Sequence, residues 1–325
     1  MPAVDMSLDK LREYKGINPK PADFDEFWAR ALAELNSLSL EYTLEPSGFT
    51  APGLLCDYLY FTGAGGARVC CKFVRPENPK PNTFGVAWFH GYSGRSPDWY
   101  ELLTYAYAGG AVLALDTRGQ SGRSEDNTHT YGDTFKGQIV RGLWDVVELG
   151  ASPDILYYRN VYLDTAQTAR ILMSLPFVDE NKICAKGGSQ GGGLTIACAS
   201  LEPRVAKMAP RCPFLSDYKR VWDMDLDKGA YDELRRYFRT QDPLHEKEDK
   251  IFETLGYIDV SKLAPRIKAE CHMYITLLDT TCPPSTQYAI FNNITSKKKE
   301  LLYYDYGHED LPYGNNHEFE FFTQW

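Results

Sequence analysis

The sequence predicts an α/β fold, a mostly parallel central sheet flanked by helices, on three observations. FGVAWF (84–89), AVLALD (111–116), KICAKG (182–187) and MYITLLD (273–279) are nearly continuous apolar runs, as expected of strands buried on both faces. Helical patterns lie between them: Tyr158, Val161, Thr165, Ala169 and Leu172 share one face, and GGLTIACASL (192–201) is a second such segment. Strands alternating with helices make βαβ units with right-handed crossovers.

The elements follow in order. In FDEFWARALAEL (24–35), Phe24, Phe27, Trp28, Ala31 and Leu35 recur at helical spacing, which predicts an amphipathic helix. LEYTLEPSGF, CDYLYFTG and ARVCCKFVRP are rich in aromatic and β-branched residues. Gly63-Ala64-Gly65-Gly66 supplies a turn between the last two, so this region reads as antiparallel strands at a sheet edge. ELLYYDY (300–306) makes a further strand after MYITLLD. Residues 216–263 are charged, aromatic and helical in pattern and fall between two core strands, an insertion that reads as a lid or a subunit interface. Neither repeat nor linker divides the chain, which predicts one domain over residues 1–325.

Composition narrows the function. A net charge of −9 offers no basic patch for nucleic acid or an anionic membrane, and Lys297-Lys298-Lys299 reads as a solvated helix end. Charges interrupt the amino-terminal residues where a secretion signal needs an apolar core, and no eighteen apolar residues are consecutive, which predicts a cytoplasmic protein. The eight cysteines contain no CxxC pair, so buried reduced thiols are expected and a metal site is not.

Chemistry concentrates at Gly187-Gly188-Ser189-Gln190-Gly191, between a buried strand and a helix-compatible run. This is the G-x-S-x-G nucleophile elbow in the setting that gives it meaning; neither glycine-rich phosphate-loop pattern is present. A serine hydroxyl needs a base and a group to orient that base, each near the end of a later strand. Asp279 closes MYITLLD and His308 follows ELLYYDYG, in the expected order. The rivals fit worse. Asp305 lies three residues from His308, His272 begins a strand at the wrong end, His317 lies in a polar segment, and His129 and His245 are misplaced in order. For the oxyanion, the backbone N–H of Gln190 is one expected donor, valued for that N–H more than for its amide. The second is Tyr92, in the loop His90-Gly91-Tyr92-Ser93-Gly94 after FGVAWF.

Arg118-Gly119-Gln120 after AVLALD, GGSQGG, His90-Gly91-Tyr92, His308-Glu309 and LLDTTCPPSTQYA around Asp279 together resemble the acetyl xylan esterases and cephalosporin C deacetylases, carbohydrate esterases of the α/β-hydrolase superfamily. The resemblance extends over nearly the whole length. It implies an α/β-hydrolase fold and a cofactor-free serine deacetylase acting on short acyl esters of sugars, acetylated xylo-oligosaccharides and cephalosporin C among them. It implies Ser189 as nucleophile, His308 as base, Asp279 as its orienter, and Tyr92 and Gln190 as the oxyanion hole. It also implies a homohexamer that the insertion would help to build, with Arg118 and Gln120 bracing the site. Cys282, close to the acid, has no role in that pattern. Two other readings stay open: a serine peptidase of the prolyl-oligopeptidase type, for which no propeller-sized domain precedes the elbow, and an inactive hydrolase-like binding protein.

Overall fold

The computed structural model describes residues 4–128 and 137–325. At one edge of a nine-stranded sheet, β1 (Tyr42–Pro46), β2 (Leu54–Thr62) and β3 (Arg68–Pro76) pair antiparallel, and β3 continues antiparallel onto β5 (Ala111–Leu115). From β5 the sheet runs parallel through β4 (Thr83–Phe89), β6 (Val178–Gly188), β7 (Lys207–Arg211) and β8 (Glu270–Thr276) to β9 (Lys299–Tyr304). Both the antiparallel edge and the parallel centre follow the sequence pattern. Because β5 lies on one side of β4 and β6 on the other, the chain changes winding direction there. Ligands of open α/β sheets bind outside the carboxyl ends of strands at such a switch point.

The helices are α1 (Leu8–Glu13), α2 (Phe24–Ser37), α3 (Trp99–Tyr107), α4 (Leu143–Leu149), α5 (Tyr157–Ser174), α6 (Gln190–Leu201), α7 (Tyr218–Asp223), α8 (Asp232–Gln241), α9 (Glu248–Gly256), α10 (Val260–Leu263), α11 (Pro284–Asn293) and α12 (Gly314–Thr323). Alternate strand residues feed two cores. Ala87, Leu113 and Ala185 face the larger one with α2, α5 and α6; Val86, Val112 and Cys184 face the smaller one with α3 and α12. Helix α2 buries the five residues its spacing predicts. Every residue of α6 is buried, which accounts for its lack of a polar face. All eight cysteines are buried and unpaired.

The insertion is helical as expected, α7 to α10 between β7 and β8. Its aromatic residues pack inward on the sheet end: Tyr231 lies 4.4 Å from Phe214, and Phe214 meets Tyr92 edge-on at 5.5 Å. The basic run is a correction. Lys299 begins β9 rather than ending a helix, and its ammonium donates to the carbonyls of Phe291 (2.8 Å) and Ile294 (2.7 Å) at the carboxyl end of α11. A cation there meets the negative end of the helix dipole.

Two buried charge clusters fix the ends of the central strands. Arg118 and Asp164 form a two-pronged pair with both contacts at 2.7 Å, and neither side chain is more than 1% exposed. On the other face Glu318 of α12, fully buried, pairs with Lys186 of β6 and with Arg211 of β7 (3.0 Å), and accepts a hydrogen bond from Tyr105 (2.6 Å). Burial alone would raise the pKa of Glu318; Lys186 and Arg211 outweigh it and hold the carboxyl below its usual range. Removing one partner of such a cluster strands the others as uncompensated buried charges. Glu318→Ala is therefore expected to cost about 3–5 kcal/mol in denaturant unfolding, far more than a surface substitution.

Candidate active site

Ser189 stands where β6 gives way to α6, with φ +56° and ψ −120°. A non-glycine residue in that region carries about 1–3 kcal/mol of strain, so its surroundings must hold it. They do so through the backbone. Its N–H donates to the Arg211 carbonyl (2.9 Å), and its own carbonyl accepts from Gly193 (3.1 Å) and Phe214 (3.0 Å). The glycines around it serve close approach. A Cβ on Gly187 would stand 2.5 Å from the Phe89 carbonyl oxygen, and one on Gly191 would collide with that same oxygen. Gly192 and Gly193 let α6 start against the backbone of residues 211 to 214, whereas a Cβ on Gly188 would meet nothing.

Asp279 follows β8, and its buried carboxylate is held by five hydrogen bonds. Oδ1 accepts the N–H groups of Thr281 and Cys282, both at 2.8 Å; Oδ2 accepts from Thr276 (3.2 Å), Gln287 (3.3 Å) and His308 Nδ1 (2.8 Å). With Nδ1 engaged, the imidazole keeps Nε2 for other chemistry. Ser189 and His308 line one cavity of about 480 Å³ together with Gly188, Arg211, Cys212 and residues 309–311.

The thiol of Cys282, fully buried, lies against the Ser189 side chain. Burial first, and then the Asp279 charge, push its pKa well above the ordinary thiol value, so it is a neutral neighbour of the serine. The donor atoms of Asp279, Cys282 and His308 lie within 4.8 Å of one another. Those of Asp279 and His308 are already engaged with each other and with backbone N–H groups.

Tyr92 lies in the loop after β4 and Gln190 opens α6, and neither backbone N–H has an acceptor among the described residues. The Tyr92 loop is locked by His90, whose Nδ1 donates to Gly91 O (2.7 Å) while Nε2 accepts from Thr117 N–H (3.0 Å). Burial lowers the pKa of His90, which favours the neutral ring this pairing requires. The Gln190 amide does more than expected. It pairs reciprocally with the Gln120 amide (2.8 and 3.0 Å), accepts from Tyr158 (2.8 Å) and reaches the carbonyls of His90 and Gly91 (3.4 Å each). Gln120 thus reaches the loop after β4 through the Gln190 amide, and it does not line the cavity.

The rival residues lie elsewhere. Asp305 is exposed beyond β9, His272 stacks on Phe321 at 3.7 Å, His245 stacks on Phe238, and His317 lies on α12. His129 is outside the described residues. Nothing local marks His90 beyond its place in the loop, and nothing local marks Glu318.

The acetyl xylan esterase family model, AXE1, matches residues 1–325, the whole chain. The chain belongs to the acetyl xylan esterase family. This is a family of carboxylic ester hydrolases with the α/β-hydrolase fold described above. The chain is 32% identical over 308 residues to acetyl esterase Axe7A of Xylanibacter ruminicola, a match that covers 92% of this chain and 65% of that longer protein. Acetyl xylan esterase 1 from Thermoanaerobacterium sp. JW/SL YS485 superimposes with a TM-score of 0.94 at 48% identity, covering 98% of each chain. An acetyl xylan esterase from Paenibacillus sp. R4 does so at 0.89 and 35% identity, covering 98% of this chain and 99% of that one.

The glycine geometry makes a stability prediction. Gly191→Ala is expected to lose about 1–3 kcal/mol through overpacking against Phe89, and Gly188→Ala to stay within about 0.5 kcal/mol of wild type. Thermal melting of the two variants side by side checks it; equal losses would refute the close-approach argument.

Proposed function

We propose that the protein is a serine esterase that removes acetyl groups from acetylated xylo-oligosaccharides and related short-chain esters, with the acetyl ester of cephalosporin C within reach of the same chemistry. The observation that carries this reading is the Asp279–His308 hydrogen bond of 2.8 Å at a cavity shared with a strained serine, in a member of the acetyl xylan esterase family.

In this mechanism His308 Nε2 removes the Ser189 hydroxyl proton as the oxygen attacks the acetyl carbonyl, and Asp279 stabilises the imidazolium through Nδ1. The carbonyl electrons move onto oxygen, which the backbone N–H groups of Tyr92 and Gln190 receive. The tetrahedral adduct collapses, His308 returns the proton to the departing sugar oxygen, and acetyl-Ser189 remains. Water, deprotonated by His308, then releases acetate and restores the serine. The neutral Cys282 thiol beside Ser189 adds no charge that would compete with the developing oxyanion.

We read the chain as one α/β-hydrolase unit that assembles as a homohexamer in the cytoplasm, its 216–263 insertion contributing a lid or a subunit interface. No helix among the described residues is long and apolar enough to cross a membrane, and the net charge of −9 supports a neutral sugar ester over an anionic partner.

Ser189→Ala is expected to lower kcat on 4-nitrophenyl acetate by about 10⁴ to 10⁶ with little change in melting temperature. A fluorophosphonate probe should label Ser189 in the wild type alone, as read by peptide mass spectrometry. Against a panel that varies acyl length and alcohol, activity should fall steeply beyond short acyl chains. Comparable rates on acetyl and octanoyl esters would sink the substrate assignment, and cleavage of a proline-containing peptide in place of acetylated xylobiose would favour a peptidase.

A further inference from the structure

Glu233, in the first turn of α8, is 3% exposed. It has no ion-pair partner among the described residues; the groups around it are neutral donors. Oε1 accepts the Tyr92 hydroxyl, Oε2 accepts the Val140 N–H (3.1 Å), and the N–H groups of Gln138 and Ile139 face the same carboxyl. Gln138 N–H also donates to the Tyr92 hydroxyl oxygen (3.3 Å), and a Cβ on Gly137 would collide with the Glu233 side chain. Among the described residues the other titratable groups that face it, Tyr158 and Tyr218, are buried phenols whose pKa burial raises, so they too are neutral. A buried carboxylate whose described partners are all neutral is an expensive arrangement, and such groups concentrate at functional sites.

Its place gives it a use. One carboxyl joins the insertion, residues 138–140 and the loop after β4, and the residue it grips in that loop is Tyr92. The Tyr92 ring in turn packs on Phe214, whose N–H holds the Ser189 carbonyl at 3.0 Å. We propose that Glu233 is a positioning residue for the reaction: by holding the Tyr92 side chain from the insertion, its carboxylate sets the Tyr92 backbone N–H where the oxyanion forms. This rests on the esterase reading above, and extends it to a residue that never meets substrate.

The arrangement has a sign. Ionised Glu233 presents acceptors to every donor around it; protonated, one oxygen becomes a donor facing donors, and the grip loosens. Burial pushes the Glu233 pKa up to about 7, against the opposing pull of the Tyr92 hydroxyl and the backbone N–H groups. Tyr92 is therefore held above about pH 7 and released as pH falls through it. Stability runs the other way. A carboxyl whose folded pKa lies above its unfolded value favours the folded state when protonated, so this stabilisation is complete at low pH and lost as pH rises through about 7.

The test compares wild type, Glu233→Gln and Tyr92→Phe on 4-nitrophenyl acetate from pH 5 to 9, with melting temperatures at each pH. Glu233→Gln is expected to lower kcat at pH 8 by about 10- to 100-fold with KM within about twofold, because the lost interaction acts in the transition state. Its acid limb should lose one ionisation, and wild type should lose stability relative to it as pH rises through about 7. Tyr92→Phe, which keeps the backbone N–H but removes the hydroxyl that the carboxylate grips, should lower kcat at pH 8 to a similar extent and lose the same ionisation from its acid limb. It also serves as the test should Glu233→Gln not fold.

Unchanged kcat and acid limbs in the variants, or losses confined to KM, overturn the inference while leaving the esterase reading intact. A wild type that neither hydrolyses the ester nor labels at Ser189 overturns both.

Discussion

The strained backbone of Ser189 is the constraint on which the rest of the structure depends. A side chain can be held at φ +56° only if the chain on each side of it is pressed against something rigid, and here that something is other backbone. The carbonyls of Phe89 and Arg211 lie where Cβ atoms of residues 187, 191 and 192 would otherwise be. Three neighbouring strands, β4, β6 and β7, must therefore end at matched heights, and their parallel register delivers this: Phe89 pairs with Gly187, and Gly187 with Pro210. At positions 187, 191, 192 and 193 the stretch packs backbone on backbone because it lacks side chains there.

Charge is distributed around that turn with a consistent logic. Positive side chains near the strand ends are matched inside the protein, Arg118 by Asp164 and Lys186 with Arg211 by Glu318. The carboxylate beside the serine, Asp279, is instead satisfied by neutral donors and one imidazole. Buried charge near the cavity is thus held by specific partners, an opposite charge at Arg211 and aimed donors at Asp279. In a medium of low dielectric constant, fixed dipoles such as backbone N–H groups then act with more force than they would in water.

The sequence disclosed some of this and concealed the rest for physical reasons. Strand and helix positions were legible because each is set by local periodicity, as the five buried residues of α2 illustrate. Ser189, Asp279 and His308 were legible because each stands at the end of a recognisable strand, where turn residues mark the boundary. Glu233 and Glu318 were not. Each lies in a helix whose pattern is ordinary, and its partner is 141 or 107 residues away, beyond any local rule. Lys299 was misread for a different reason: its partners are local, but three consecutive lysines look solvated, and only the turn from α11 into β9 brings the helix end within reach of the third. The Gln190 amide was undervalued because the motif assigns that position through its backbone, and its four partners come from three separate segments.

The Glu318 cluster also bears on the order in which the site is completed. Lys186 lies three residues before the serine, and the helix that neutralises it is made after every strand of the sheet. During synthesis, when chains fold progressively from the amino terminus, β6 must wait with a cation facing the unfinished core. Charge neutralisation beside the serine is thereby tied to the docking of α12, an element synthesised after the strands it serves.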